Sequence, residues 1–282
     1  MIALKDIEPV TVPHLIRIEK IYTAFTRVRN GNFNFPGELH DFWEMVYIDQ
    51  GVASFTADDR LFECGAGTLV FHKPNEFHRI WNADKNRVVF SVITFSAEGE
   101  YCYRLTDKVI VPDEYCQLLI RELQRQIAEG EPDEKNYSFK KLRSDPAYAA
   151  QFCSTLELLL YRCALEDCRS DAPLNDPQSL YIRAVKCMRE NIDRALKVQD
   201  LADRLNVSVS QLKRVFKKYA LMGVHDYYLT LRIETSKELL LHGASVCDTA
   251  QRTGFDSQNH FSSVFKKRVG MSPLRFTKSR ES

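Results

Sequence analysis

The sequence predicts an α+β protein of two domains: an N-terminal antiparallel β-barrel with trailing helices, and a C-terminal all-α module built on two helix-turn-helix units. Three observations predict it. Apolar and polar residues alternate in short runs between about 20 and 96, the period becomes helical from Pro112, and the last hundred residues contain an internal repeat. At 282 residues with 44% hydrophobic content, the chain is long enough to bury two cores.

The barrel is read from runs such as WEMVYID, VASFTAD and RVVFSVITF, each bounded by Gly, Pro, Asn or Asp turn signals. After Pro112, Leu118, Leu119, Leu123 and Ile127 recur at three-to-four spacing, and a second stripe runs through Phe152, Leu156, Leu159, Leu160 and Cys163. Two amphipathic helices therefore follow the barrel. Their apolar stripes suit either a cap on the barrel or the seam of a homodimer, and periodicity alone does not choose. A polar stretch with two prolines, Arg169 to Ser179, separates this region from the next helical pattern. The boundaries follow: a β-barrel domain with its two trailing helices over 1–168, a linker over 169–179 and a helical domain over 180–282.

Charge is divided unevenly between these domains. Residues 180–282 carry 19 Lys and Arg against 10 Asp and Glu, a net +9, whereas the whole chain is +1, leaving −8 for residues 1–179. A basic module tied to an acidic one predicts that the C-terminal part alone meets a polyanion. No apolar run approaches the ~20 residues of a membrane span, and the acidic MIALKDIEPV start is unlike a signal peptide, so a cytoplasmic protein with no membrane partner is expected. The eight cysteines, Cys64, Cys102, Cys116, Cys153, Cys163, Cys168, Cys187 and Cys247, show no C-x-x-C pairing and read as reduced packing residues. A redox pair at Cys163 and Cys168 is the alternative.

The repeat lays residues 201–228 over 249–277, with one extra residue in the second turn. Ala202 matches Ala250 and Val207 matches Phe255; beyond the insertion Leu212 matches Phe261, Phe216 matches Phe265, and Lys217-Lys218 match Lys266-Lys267. Each copy has the parts of a helix-turn-helix. A small residue allows close helix approach, a turn falls at Leu205-Asn206 or Thr253-Gly254, and Ser208 or Asp256 follows as the expected N-cap. The next helix turns an apolar face inward and a donor-rich face outward: Ser210, Lys213, Arg214 and Lys217 in the first copy, and Ser257, Gln258, Asn259, Ser262, Ser263 and Lys266, with Lys267 at the helix end, in the second. Arg and Lys suit guanine edges and phosphates, and Asn and Gln suit adenine, so double-stranded DNA is the expected partner. Either helix alone would read as a solvated bundle helix; the matched pair in a basic module points to DNA.

At these residues the chain resembles the AraC/XylS family of transcription regulators. The resemblance runs from Gly254-Phe255 through Ser257-Gln258, His260-Phe261 and Val264-Phe265-Lys266-Lys267 to Gly270-Met271-Ser272-Pro273, and includes the connecting segment Arg232 to Leu240, where Ser236 replaces the usual Ala. It implies that both recognition helices enter successive major-groove faces of one promoter site, and that the protein contacts RNA polymerase, more often as an activator than as a repressor. Ser263 stands where the family often has Arg, which implies a weaker base contact there.

The β region resembles, more loosely, the cupin-like sensor of that family. Glu38-Leu39-His40, Glu44 and Gly51 follow the first cupin motif with Glu38 in place of its first His, and Pro74-Asn75-Glu76-Phe77-His78 with Asn82 is similar to the second. In cupin enzymes these positions hold a divalent transition metal. Lacking the His pair and beside a DNA-binding module, they read instead as the polar lining of an effector cavity, with no metal, no cofactor and no catalytic residues. Phe42, Trp43, Tyr47, Phe71 and Trp81 are candidate aromatic walls. Aromatic faces with a few acidic and imidazole groups suit a carbohydrate or other small polar metabolite. The expected effector site is Glu38, His40, Trp43, Glu44 and His78. The function expected is a ligand-responsive regulator of sugar or small-metabolite genes, with a metal-dependent cupin enzyme carrying a DNA-binding module as the alternative.

Overall fold

The structure, a computed structural model, describes residue 11 and residues 13–82, 86–165 and 180–278. The expected linker 169–179 and Cys168 lie outside the described residues.

The chain opens with ten strands and three helices: β1 (Arg17–Arg29), β2 (Trp43–Gln50), β3 (Val52–Ala57), β4 (Arg60–Gly65), β5 (Leu69–His72), β6 (His78–Asn82), β7 (Val88–Glu98), β8 (Val109–Ile110), α1 (Glu114–Glu129), β9 (Pro132–Asp133), β10 (Ser138–Phe139), α2 (Lys141–Ser144) and α3 (Pro146–Leu165). Strands β1-β7-β2-β5-β8 form one antiparallel sheet and β4-β3-β6 a second. A core of Val46, Ile48, Phe55, Phe62, Val70 and Phe90 draws on strands of both sheets, so the sheets face one another as a flattened barrel.

Turn chemistry sets the strand order. Asp58, at φ 50°, and Asp59 close the β3–β4 hairpin, in which Ala57 pairs with Arg60. Gly51, at φ +81°, turns β2 into β3 where an added Cβ would lie 2.3 Å from the carbonyl oxygen of Arg87.

The other face of the larger sheet is buried too. Trp43, Met45, Phe71 and Phe95 pack with Ile120, Leu123 and Ile127 of α1 and with Phe152, Leu156, Leu159 and Leu160 of α3. These helices therefore cap the barrel. Leu118, assigned to the inward stripe by spacing, is 53% exposed. With Tyr115, Leu158 and Leu165 it leaves apolar side chains on the outer side of both helices. Asp113 starts α1 by accepting the Cys116 N–H at 2.7 Å.

The helical domain runs α4 (Leu180–Glu190), α5 (Val198–Arg204), α6 (Val209–Tyr219), α7 (Val224–Leu241), α8 (Val246–Arg252), α9 (Gln258–Val269) and α10 (Pro273–Lys278). It holds two cores. Tyr181, Val185, Leu201, Leu212 and Phe216 pack with Tyr227 and Leu231 from the first half of α7, whereas Phe255, Phe261, Phe265 and Phe276 pack with Ile233 and Leu240 from its second half. Helix α7 thus belongs to both helix-turn-helix units. Among the described residues no helix is long and apolar enough to cross a membrane.

Candidate DNA interface and effector site

The two helix-turn-helix units repeat in geometry as well as in sequence. The Val207 N–H donates to the Ala202 carbonyl at 3.0 Å in the first turn, and the Phe255 N–H to the Ala250 carbonyl at 2.9 Å in the second. Ala202 and Ala250 are buried against the partner helices. Asn206, at φ 55°, and Gly254, at φ +70°, occupy the left-handed position of each turn. Gly254 is further constrained, because a Cβ there would stand 2.5 Å from the Arg194 nitrogen.

Ser208 caps α6 as expected, its hydroxyl accepting from Gln211 N at 3.1 Å while Gln211 Oε1 accepts from Ser208 N at 2.8 Å. The second cap is not Asp256 but Ser257, whose Oγ accepts from His260 N at 3.2 Å. The extra residue of the second turn moves the helix start one position along. Ser210, Lys213, Arg214 and Lys217 are all exposed on α6. On α9 and its cap, Ser257, Gln258, Asn259, Ser263, Lys266 and Lys267 are exposed and Ser262 is half-buried. Leu212, Phe216, Phe261 and Phe265 are buried on the opposite faces. The donors singled out from sequence thus form the free face of one helix in each unit.

The barrel encloses a cavity of about 300 Å³. Glu38, His40, Glu44 and His78 line one part of it, with one ligand-type atom from each lying within 4.8 Å of the others. Three elements supply them. Glu44 lies on β2 facing inward, His78 begins β6, and the loop before β2 carries Glu38 and His40, tied to β6 by reciprocal backbone bonds between Glu38 and His78 at 3.0 and 3.1 Å.

His78 is 3% exposed and Glu44 7%. Burial opposes a charge on His78, but the carboxylates of Glu44 and Glu38 prevail and push its pKa up to about 10. Burial likewise opposes the carboxylate of Glu44, yet His78 and His40 hold it well below the usual range. Behind them His72 donates from Nδ1 to Glu76 at 2.7 Å; burial, with His78 beside it, lowers its pKa and keeps it neutral.

Trp43 is not with these four. Adjacent strand residues face opposite ways, so with Glu44 inward Trp43 points into the core beneath the helices. Of the other candidate walls only Phe42 lines the cavity; Tyr47 and Phe71 pack on the helix side and Trp81 borders a separate cleft. The further aromatic walls are Phe25, Phe33, Phe35, Phe55, Phe90 and Tyr137, joined by Arg27 and Arg29. The alternation of β1, TAFTRVR, carried the signal for Phe25, Arg27 and Arg29.

Two family profiles match this architecture: the AraC-like ligand binding domain over residues 21–105, which includes all four cavity residues, and the helix-turn-helix domain over residues 201–279, which includes both recognition helices. Together they span more than half of the chain. The chain belongs to the AraC/XylS family. It is similar to the HTH-type transcriptional activator RhaS of Enterobacter sp. (strain 638), 22% identical over 260 residues covering 88% of this chain and 89% of the relative. It is also similar to a solved AraC-type DNA-binding domain-containing regulator from Chromobacterium violaceum, 33% identical, covering 35% of this chain and 88% of that one with a TM-score of 0.33. A third likeness is to fatty-acid-bound ToxT from Vibrio cholerae, 14% identical over 93% of this chain and 96% of that one, TM-score 0.38.

The family is one of transcription regulators, and this member joins its two domains through residues that sequence inspection did not single out. Arg79, 2% exposed, donates to the carbonyls of Lys218 at 3.1 Å and of Tyr219, at the C-terminal end of α6. Phe77 stacks edge-on against Tyr227 at 5.3 Å and belongs to the first core of the helical domain. A buried arginine in a strand leaves no trace in hydrophobic periodicity.

Proposed function

We propose that this regulator is an effector-responsive activator, and that a small polar metabolite of the carbohydrate class bound in the barrel changes how α6 and α9 meet double-stranded promoter DNA. One observation carries the reading: His78 lines the cavity, and its neighbours reach the helical domain, Phe77 packing on α7 and Arg79, which also borders the cavity, placing its guanidinium on the end of α6. A ligand that moves His78 moves the strand on which the first recognition helix rests, giving the two sites a shared element with differential contacts.

Recognition is assigned to the exposed donors of α6 and α9 in successive major-groove faces, with Lys217, Lys266 and Lys267 on phosphates. The effector is held by Glu38, His40, Glu44 and His78 against the aromatic walls. Activation proceeds through RNA polymerase in the cytoplasm. A homodimer uses the outer apolar side chains of α1 and α3, Tyr115, Leu118 and Leu158.

The test uses the full-length protein and the DNA upstream of its own gene. Affinity falls steeply between 50 and 200 mM salt as phosphate contacts release counterions, and a panel of sugars contains at least one that raises the melting temperature and alters the DNA complex. Binding to that DNA without salt sensitivity, or no wild-type response to any polar metabolite, removes the corresponding half of the proposal.

A further inference from the structure

We infer that Glu38, His40, Glu44 and His78 form a binding site for a divalent first-row transition metal ion at one side of the effector cavity. The argument begins with the imidazole tautomers. His40 Nδ1 lies 3.0 Å from the Phe42 carbonyl and His78 Nδ1 2.9 Å from the Glu76 carbonyl. A carbonyl oxygen only accepts, so both Nδ1 atoms carry hydrogen and both Nε2 atoms are presented inward. Neither Nε2 has a hydrogen-bond partner, although both are sealed from solvent. Metal-bound histidines show this arrangement, with the outer ring nitrogen donating to a carbonyl that fixes tautomer and orientation.

The two nitrogens look at carboxylate oxygens. His78 Nε2 stands 3.4 Å from Glu44 Oε1 and 3.7 Å from Glu38 Oε1, and His40 Nε2 stands 3.8 Å from Glu44 Oε2. Ligand atoms about 2.1 Å from a tetrahedral centre are about 3.4 Å apart. The three pairs above already stand near that spacing, and the four atoms as a set, within 4.8 Å of one another, draw together when an ion binds. Buried carboxylate oxygens that converge on imidazole nitrogens need a positive charge between them, either the proton held on His78 or an ion that displaces it.

The rings are already set for it: Phe42 stacks on His40 at 3.9 Å and 8°, and His72 on His78 at 4.3 Å and 12°. Two imidazole nitrogens with carboxylates select a transition metal, because Mg²⁺ and Ca²⁺ prefer sites made of oxygen alone.

An ion so held keeps a coordination position toward the cavity for an oxygen of the effector. That consequence rests on the reading of the cavity as the effector site, whereas uptake of the ion does not, so the two can fail separately.

The experiment is titration of chelator-treated full-length protein with Co²⁺, followed by visible absorption and by competition with Zn²⁺. One equivalent binds with ligand-field bands, and Zn²⁺ bleaches them. His40→Ala and Glu44→Gln each weaken Co²⁺ by more than about tenfold, the scale set by loss of even outer partners of metal ligands. Glu38→Gln, at a 46% exposed side chain, weakens it without risk to the fold, and His242→Ala, at an exposed helix end, leaves it unchanged. Absence of saturable one-to-one uptake, or equal uptake by wild type and by folded His40→Ala and Glu38→Gln, overturns the proposal. Uptake with no influence on promoter binding leaves the metal site standing and counts against the effector reading alone.

Discussion

Arg189, on the first helix of the DNA-binding domain, holds its guanidinium 2.6 Å from Oδ2 of Asp58 at the β3–β4 turn of the barrel. Asp58 is 4% exposed, and its other oxygen accepts from the Phe77 N–H at 3.1 Å. One carboxylate thus braces Phe77, just before His78, while anchoring the helical domain. Burial pushes its pKa up to about 6, with Arg189 and Lys73 pulling it down and Glu76 adding to the rise.

A carboxyl whose folded pKa is raised binds more protons folded than unfolded. Its contribution to stability therefore grows as pH falls from about 7 through the folded pKa toward the unfolded value near 3.8. Asp58→Asn cannot titrate. The stability of wild type minus that of Asp58→Asn should rise by about 2–3 kcal/mol between pH 7 and pH 4, read from urea unfolding at several pH values. A difference that shrinks on acidification would show that the Arg189 pair dominates burial.

Arg79 is the second brace. Besides the α6 carbonyls it donates to the Phe35 carbonyl at 3.1 Å and to Asn34 Oδ1 at 2.6 Å. Arg79→Met keeps the stem but leaves those acceptors unpaired, at about 1–3 kcal/mol for each that stays dry. Calorimetry should show the wild type unfolding in one transition and Arg79→Met in two, as the barrel and the helical domain lose their coupling. A single, unshifted transition in the variant would show that Arg79 does not couple the two domains.

On the DNA side, Arg214 lies exposed on α6 and Lys267 near the end of α9. Arg214→Ala should cost about 1–3 kcal/mol at the cognate site and relax preference at one or two base pairs. Lys267→Ala should weaken specific and random DNA alike and lower the slope of affinity against salt. Equal losses on both DNAs for Arg214→Ala would make it a phosphate contact.

Local chemistry was legible in the sequence, and contacts between distant segments were not. The repeat located both helix-turn-helix units because each turn needs the same small residue and a left-handed position, supplied by Ala202 with Asn206 and Ala250 with Gly254. The one-residue insertion was visible, but which of Asp256 and Ser257 would cap depended on where the helix began. Glu38, His40, Glu44 and His78 were legible as a set through motif spacing; Trp43 was misplaced because assigning a strand face requires knowing which side the helices cover. Arg79, Asp58 and Arg189 carry the domain contact through long-range partners that no local pattern encodes.

Two glycines of the second unit separate backbone strain from steric overlap. Gly254 has φ +70° and a Cβ there would meet the Arg194 backbone at 2.5 Å, whereas Gly270, the C-cap of α9, has φ +84° with nothing within 4 Å of its added Cβ. Gly270→Ala therefore incurs only the left-handed conformation, about 1–2 kcal/mol. Gly254→Ala incurs that and must also displace the backbone between α4 and α5, because a main-chain atom has no rotamer by which to yield. The expected loss is about 2–4 kcal/mol, with α8 and α9 displaced from the first unit. Denaturant unfolding and DNA affinity should be measured for both variants. Gly270→Ala should retain near-normal binding, and Gly254→Ala should lose specific binding even at temperatures where the protein stays folded, since one recognition helix can no longer follow the other along the groove. Equal stability losses in the two variants would mean that the Arg194 segment moves aside freely and that the close approach at Gly254 does not set the spacing of the two units.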